Sequence, residues 1–414
     1  MAEPKTQISQ TLEKQHPAIR AIYMSSYIPR KCGIATFTKD LTTAINALNP
    51  FALAEILAVT DPAVPNGGYD YPWEVKYRVQ QDDLEAYRAA ADYVNSSSAE
   101  ILCLQHEFGL YGGEGGDYIL EFLKRLNKKV VTTLHTIPEK PNPNQLAVIK
   151  DLFKYSNAVV VMVEPVVSRL AKVYGVDTKK IAIIHHGVPD LPFGGSEHFK
   201  RLTRLRGRVV MSAINLISPN KGLEYAISAV PSVVKKVPNF LLLIIGETHP
   251  VVKKKYGESY RQSLAKRVKE LKIENNVRFI NRYLPLEELT DYLRASDLYI
   301  TPYLDPQQIA SGTLSYAVGA GKVSISTPYL YAEEVLDNKR GILVPFRDSK
   351  AISKAAIEIL SDSNWRQSLE HEAYQYGRLM TWSAVALAYF DLLGLVLKGK
   401  ISNLHKNGSA RVGK

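Results

Sequence analysis

Short runs of aliphatic and β-branched residues recur along the chain and alternate with longer stretches whose apolar residues return every three or four positions. The runs are almost free of polar residues, which suits strands buried on both faces; the spaced stretches suit helices lying on a sheet. Seven such runs fall at 19–24, 53–59, 75–79, 101–104, 130–134, 159–163 and 181–184, and six more at 209–214, 240–245, 277–280, 298–301, 323–326 and 342–344. The clearest helical face between them carries Ile34, Phe37, Leu41, Ala44, Ile45 and Leu48. Strand and helix in alternation predict parallel sheets covered on both sides, an α/β fold of two doubly wound, Rossmann-like domains. The rhythm breaks at 189–206, where Pro192, Gly194, Gly195 and a run of basic residues read as a linker. The expected organisation is a first domain over 18–190, a linker over 191–207, a second domain over 208–375, a C-terminal helix over 376–400 that crosses back to the first domain, and a basic tail over 401–414.

Composition narrows the function. Of the 414 residues 46% are hydrophobic and 22% charged, the balance of a soluble globular protein. The longest weakly charged run, 383–397, is broken by Asp391 and is too short to span a bilayer. The N-terminal stretch lacks the apolar core of a signal peptide, and Cys32 and Cys103 are too few for a disulfide framework, so a cytoplasmic protein is expected. A net charge of +11 points to anionic partners. No helix-turn-helix, zinc-finger or RNA-binding signature accompanies it, so nucleic acid is not expected; an anionic small molecule or an acidic membrane surface is. Lys398, Lys400, Lys406, Arg411 and Lys414, in a tail free of acids, offer a weak peripheral contact with the inner membrane surface, although a solvated end is the simpler reading.

In an open parallel sheet ligands bind outside the carboxyl ends of the strands, so the loops directly after predicted strands hold the candidates. The stretch 303–327, YLDPQQIASGTLSYAVGAGKVSIST, passes from a strand end through a polar loop into a helix of small residues. Ser311, Gly312 and Thr313 stand where that helix begins, and its free amides and dipole favour an anion. Ala317, Gly319, Ala320 and Gly321 are expected to let the helix lie tightly on the sheet. Lys221 and Gly222 open another helix, setting an ammonium beside a second group of amides. Gly246, His249, Lys253, Lys254, Lys255 and Arg261 follow the run ending at 245. Arg30, Lys31, Cys32 and Gly33 follow the first strand. His106 and Glu107 end the fourth, ahead of a glycine-rich loop expected to be loose until something binds it, and His135 ends the fifth, ahead of a proline-rich loop. The absence of G-x-G-x-x-G argues against nicotinamide or flavin binding, that of H-E-x-x-H, paired C-x-x-C and D-x-D against a built-in metal, and that of G-x-S-x-G against a serine hydrolase.

The ordered set PRKCGIATF, LQHEFGLYGG, TLHT, HHGVPD, SPNKG, IIGETHP and SGTLSYAVGAGK, running from about 22 to 382, resembles the retaining glycosyltransferases of the GT-B fold, similar to the large family 4 group within glycosyl transferases group 1. The resemblance implies two domains facing across a cleft, a nucleotide-sugar donor on the second, a glycan or other hydroxyl acceptor on the first, and neither a metal nor a resident cofactor. It implies catalytic roles for His135 and Lys221. Donor contacts would come from Gly33, Gly246, His249, Gln308, Ser311, Gly312, Thr313, Leu314 and Tyr316, and acceptor contacts from Arg30, His106 and Glu107. The family often carries an arginine five positions before the Lys-Gly pair and two glutamates in the central stretch; those positions hold Leu216, Gln308 and Tyr316 here. Donor binding would then be rebuilt through His249, the lysines at 253–255 or Arg261. Retention without a protein nucleophile is also implied, the leaving diphosphate taking the acceptor proton. A phosphorylase of the same fold, using phosphate or a sugar phosphate, and a non-catalytic sugar- or nucleotide-binding relative stay open beside the transferase.

Overall fold

The computed structural model describes residues 18–62, 64 and 69–400 and divides the chain into two compact units. The first takes the chain up to Ile184 together with the part from Val385 onward; the second spans His185–Ala384. The N-terminal residues 1–17 and the basic tail at 401–414 lie outside the described residues.

The first unit holds seven parallel strands: β1 (Ala21–Ser25), β2 (Glu55–Thr60), β3 (Val75–Gln80), β4 (Ile101–His106), β5 (Lys129–Leu134), β6 (Ala158–Val161) and β7 (Ile181–Ile183), in the order β3-β2-β1-β4-β5-β6-β7. β1 and β4, in the middle of the sheet, are buried at every position, their apolar runs giving way to polar residues only at the carboxyl ends, where Ser25, Gln105 and His106 stand. The helix Gly33–Leu48 covers one face, but it buries Ala35, Phe37, Thr38, Leu41, Thr42 and Ile45 and leaves Leu48 40% exposed. The face is rotated from the purely apolar one because two threonines can enter the core without an unmet hydroxyl. Thr38 Oγ1 donates to Ile34 O at 2.8 Å and lies 2.8 Å from Ser25 Oγ on β1; Thr42 Oγ1 donates to Thr38 O at 2.8 Å. From Val385 the helix Trp382–Leu397 belongs to this unit, where Tyr389 Oη meets Thr133 Oγ1 at 2.9 Å.

The second unit holds six parallel strands: β8 (Val209–Ile214), β9 (Phe240–Ile245), β10 (Val277–Ile280), β11 (Leu298–Thr301), β12 (Val323–Ser326) and β13 (Gly341–Leu343), in the order β10-β9-β8-β11-β12-β13. The stretch 191–207, expected as a linker, is packed structure of this unit. It contains the helix Ser196–Leu202, whose Lys200 Nζ reaches Asp297 at 2.9 Å and whose Phe199 ring lies 3.9 Å beneath the Arg294 guanidinium. Buried pairing with Asp297, invisible in composition, turns a basic run into an anchor.

The small residues of the helix Gly312–Gly319 and of the turn after it answer to neighbours other than the sheet. A Cβ at Gly319 would stand 2.6 Å from Val188 Cγ2, one at Gly321 2.8 Å from the Phe193 ring, and one at Gly377 2.7 Å from Gly319 Cα. The glycines therefore admit the segment around 188–193 on one side and the helix Ser363–Arg378 on the other. Among the described residues no helix is long and apolar enough to cross a membrane.

Candidate functional site

In the second unit the chain winds from β8 outward to β9 and β10, then returns to lay β11 on the opposite side of β8. The carboxyl ends of β8 and β11 therefore flank the switch point, where open α/β sheets take ligands. The loops leaving these two strands are tied together. Leu304 N donates to Asn220 O at 2.9 Å, and Gly222, with φ 61°, sits so close that a Cβ there would stand 2.0 Å from Pro302 O. That contact fixes the short turn Pro219–Lys221 and delivers the Lys221 ammonium 3.8 Å above the Tyr303 ring. Tyr303 stacks on Tyr329 with centroids 5.2 Å apart, and its hydroxyl lies 3.5 Å from Thr313 Oγ1. A cation, a phenol and the start of a helix thus meet at one place.

Ser311 caps the helix Gly312–Gly319, its Oγ accepting from Leu314 N at 3.4 Å. Gly312 faces His186, whose Nε2 would be 3.1 Å from a Cβ at that position. His186 Nδ1 donates to Gly187 O at 2.8 Å, and burial pushes its pKa down to about 4, so the ring is neutral with an unprotonated Nε2 at the helix start. Tyr316, expected to face a ligand, is buried edge-on against His186, centroids 6.2 Å apart; with only 7% exposure its ring is part of the packing. Gln308 is drawn into its own loop, its side-chain Nε2 donating to Ala310 O at 2.8 Å and its backbone carbonyl accepting from Tyr331 N at 3.1 Å.

The loop after β9 joins the same end of the sheet, with His249 N donating to Ile217 O at 2.9 Å. His249 Nδ1 accepts from Val251 N at 3.3 Å, and burial, then the Lys221 charge, lower its pKa, so it is a neutral cap beside a cation. Gly246, with φ 136°, allows a backbone approach to Asn215 that a Cβ would block. Arg261 is committed to this loop, Nη2 donating to Gly246 O at 2.8 Å and Nε lying 3.3 Å from Glu258. Lys253 pairs with Glu258 at 3.4 Å, and the helix Pro250–Tyr256 that carries it with Lys254 and Lys255 buries none of its residues. Leu216 is half-buried. Among the described residues no group of three or more His, Cys, Asp or Glu is arranged to hold a metal.

In the first unit the corresponding switch point lies between β1 and β4. Gly33 opens its helix exposed, and a Cβ there would meet nothing within 4 Å, so no packing contact requires a glycine. Cys32 Sγ lies 3.3 Å from Ser26 Oγ. Arg30 is held by Val59 O at 3.4 Å and Asp61 at 3.7 Å. His135 is 8% exposed, its Nε2 2.8 Å from Gln105 Oε1, which only accepts, so Nε2 carries the proton; Phe37 stands edge-on to the ring at 5.0 Å. Glu107 accepts from Phe108 N at 3.0 Å and from the Thr136 hydroxyl, and burial raises its pKa.

Two expectations fail here. The His106 ring is fully buried, stacked on Tyr111 with centroids 5.9 Å apart and edge-on to Phe108, and burial lowers its pKa to about 3; it has no open face for an acceptor. The glycine-rich loop is tightly packed. A Cβ at Gly112 would stand 2.0 Å from Gln81 O, and Gly112 N donates to Tyr87 Oη at 3.1 Å. Tyr303, His186 and Asn215, all at or beside the second unit's site, were not singled out from the sequence. Tyr303 and Asn215 each follow a predicted strand closely, a signal that pointed to their loops but not to their side chains.

Residues 196–377 match the glycosyl transferases group 1 family. Among curated proteins the chain is 27% identical over 164 residues to a GDP-mannose-dependent alpha-(1-6)-phosphatidylinositol monomannoside mannosyltransferase of Mycolicibacterium smegmatis, covering 38% of this chain and 40% of that protein. It is 24% identical over 204 residues to a phosphatidyl-myo-inositol mannosyltransferase of the same organism, covering 47% and 48%. The chain thus matches less than half the length of each. Among solved structures, sucrose-phosphate synthase from Thermosynechococcus elongatus superposes over 92% of this chain and all of its own (100%), with TM-score 0.75 and 17% identity. Anabaena HepE in complex with UDP and glucose superposes over 91% of this chain and 99% of its own, with TM-score 0.72 and 12% identity. Two doubly wound units of this kind make the GT-B glycosyltransferase fold, and the match to glycosyl transferases group 1 falls within the second of them.

Proposed function

We propose that this protein is a retaining glycosyltransferase that moves a sugar from a nucleotide-sugar to a hydroxyl of a glycan or other acceptor. The observation that carries the reading is the meeting of Lys221, Tyr303 and the Ser311-capped helix start at the β8/β11 switch point. An ammonium and a helix N-terminus that meet at one strand end are suited to a diphosphate, and the names of the relatives, a GDP-mannose-dependent transferase and a protein bound to UDP and glucose, agree with that ligand class. Lys221 rests on an aromatic face worth about 0.5–2 kcal/mol, less than the roughly 1.5–3 kcal/mol of a charge-assisted hydrogen bond, so a phosphate draws it off the ring.

In the transfer step the bond between the anomeric carbon and the diphosphate oxygen breaks, and a bond from that carbon to the acceptor oxygen forms on the same face. The acceptor proton passes to the departing diphosphate oxygen. Lys221 and the helix start stabilise the charge that collects there, and neither step needs a carboxylate pair or a metal contributed by the protein. The acceptor is read onto the first unit, where Glu107 and His135 directly follow β4 and β5.

The test is to incubate the full chain with UDP-, GDP- and ADP-sugars, following melting temperature and release of nucleoside diphosphate with and without hydroxyl acceptors. A ligand at a hundred times its dissociation constant adds about 2.7 kcal/mol of stability, an easily read shift. Absence of any shift and of any diphosphate release across the three series would refute the proposal.

A further inference from the structure

A polar side chain buried without a partner is costly, and at a ligand-bearing strand end it calls for an explanation. Asn215 is the first residue after β8, at the reversal point of the second sheet. Its backbone is pinned. Asn215 N donates to Ile245 O at 3.1 Å, and Gly246 approaches so closely that a Cβ there would stand 1.9 Å from Asn215 O. Its carboxamide is not. Nδ2 and Oδ1 are both buried, and neither meets a hydrogen-bond partner among the described residues. The flanking residues, Ile214 before and Leu216 and Ile217 after, are apolar, so this stretch readily accommodates side chains that need no partner.

We propose that the Asn215 carboxamide is a ligand-binding group of the second unit's site and that it pairs with sugar hydroxyls, not with phosphate; this rests on the nucleotide-sugar reading above. The chemistry separates the two partners. Phosphate oxygens only accept, so an amide facing them satisfies Nδ2 and sets Oδ1 against negative charge. Hydroxyls both donate and accept, and a neighbouring pair satisfies both ends of the amide. The diphosphate charge is left to Lys221 and the helix start, whose ammonium and backbone amides only donate. The hydroxyls belong either to the transferred sugar or to the ribose, and both present this donor–acceptor pair.

The experiment compares wild type, Asn215→Leu and Asn215→Ala as full chains, by melting temperature without ligand and by titration calorimetry with UDP, GDP, 2′,3′-dideoxy-UDP, UDP-glucose and GDP-mannose. Without ligand both variants melt at or above wild type, because an unpaired amide has been removed. With the nucleotide-sugar that wild type prefers, both bind about tenfold or more weakly. If UDP and GDP bind all three proteins alike, the transferred sugar is the partner. If UDP also weakens while its dideoxy form binds alike, the ribose is. Weakening that persists with the dideoxy form assigns Asn215 to phosphate and overturns the proposal. So does unchanged affinity for every ligand, and so do variants that melt well below wild type, which would mean that an ordered water satisfies the amide as part of the fabric. If wild type itself binds none of these nucleotides, the transferase reading fails and the proposal falls with it, an outcome distinct from equal binding by wild type and variants.

Discussion

Lys221 spends the free state over an aromatic ring, a geometry that holds a cation ready without burying its charge. Its replacement by alanine removes a charged partner and little packing. Lys221→Ala should keep the wild-type melting temperature to within about a degree or two while weakening nucleoside diphosphate binding roughly 10- to 100-fold, as calorimetry with UDP and GDP will read. Unchanged affinity would reduce the residue to a turn lysine. The two neutral residues in the central stretch answer differently. Gln308 lies in a loop and is half-buried, so Gln308→Glu should fold normally. Tyr316 is buried against a neutral His186, and Tyr316→Glu would take a carboxyl out of water into that packing, at a cost on the order of several kcal/mol. A thermal melt of the two variants side by side decides; equal stabilities would contradict the packing role of Tyr316.

At the scale of elements, the helix Gly312–Gly319 is held where it is by what its glycines admit. Gly319 touches Val188 on one side and Gly377 on the other, so Gly319→Ala should cost about 1–3 kcal/mol through overpacking. Val188→Ala in the same chain should recover most of the loss, because the atoms that a Cβ at Gly319 meets first all belong to Val188. A double-mutant cycle of chemical denaturation midpoints measures this, and simple additivity would mean that the two residues do not press on each other. The placement matters for function because this helix presents Ser311, Gly312 and Thr313, and a shift of its axis moves the candidate anion site.

For the whole molecule, one buried charge couples stability to pH. Lys322, at the amino end of β12, is 7% exposed, and burial lowers its pKa from 10.5 to about 8 despite the nearby Glu370 and Asp297; Nζ donates to Arg294 O at 2.8 Å. A base whose folded pKa lies below its unfolded value favours folding only when deprotonated. Its penalty is therefore fully present below pH 8 and is relieved as pH rises from about 8 to 10.5, by about 3 kcal/mol. The stability of wild type relative to Lys322→Met should improve by that order across the window; a pH-independent difference would show that the ammonium is not desolvated. On the proposed transferase reading, chemistry is divided between the units as well. His135 lies in the first unit and Lys221 in the second, so His135→Ala should lower turnover with the preferred nucleotide-sugar while leaving UDP or GDP affinity within about twofold. A large loss of nucleoside diphosphate affinity would place His135 on the nucleotide instead.

All thirteen strands were legible in the sequence to within a residue or two at most ends; a strand buried on both faces, such as β9, must be written almost wholly in apolar residues, and the half-buried β3 shows instead as alternation of apolar and charged ones. The loops that carry the candidate site were legible for the same reason, since they begin where those runs stop. What each side chain does in its loop was not. Whether Gly312 faces a ligand or a histidine, whether Tyr316 points outward, whether His106 has an open face and whether 191–207 hangs free all depend on neighbours that only folding brings into contact: His186, Tyr111, Asp297. The sequence by itself determined the alternation of strand and helix, and hence two parallel sheets, because burial on two faces constrains residue type at each position. Only the tertiary structure decided which polar groups at the strand ends are satisfied, like Gln308, and which are left waiting, like Asn215, because a hydrogen bond depends on distance and direction that residue type does not encode.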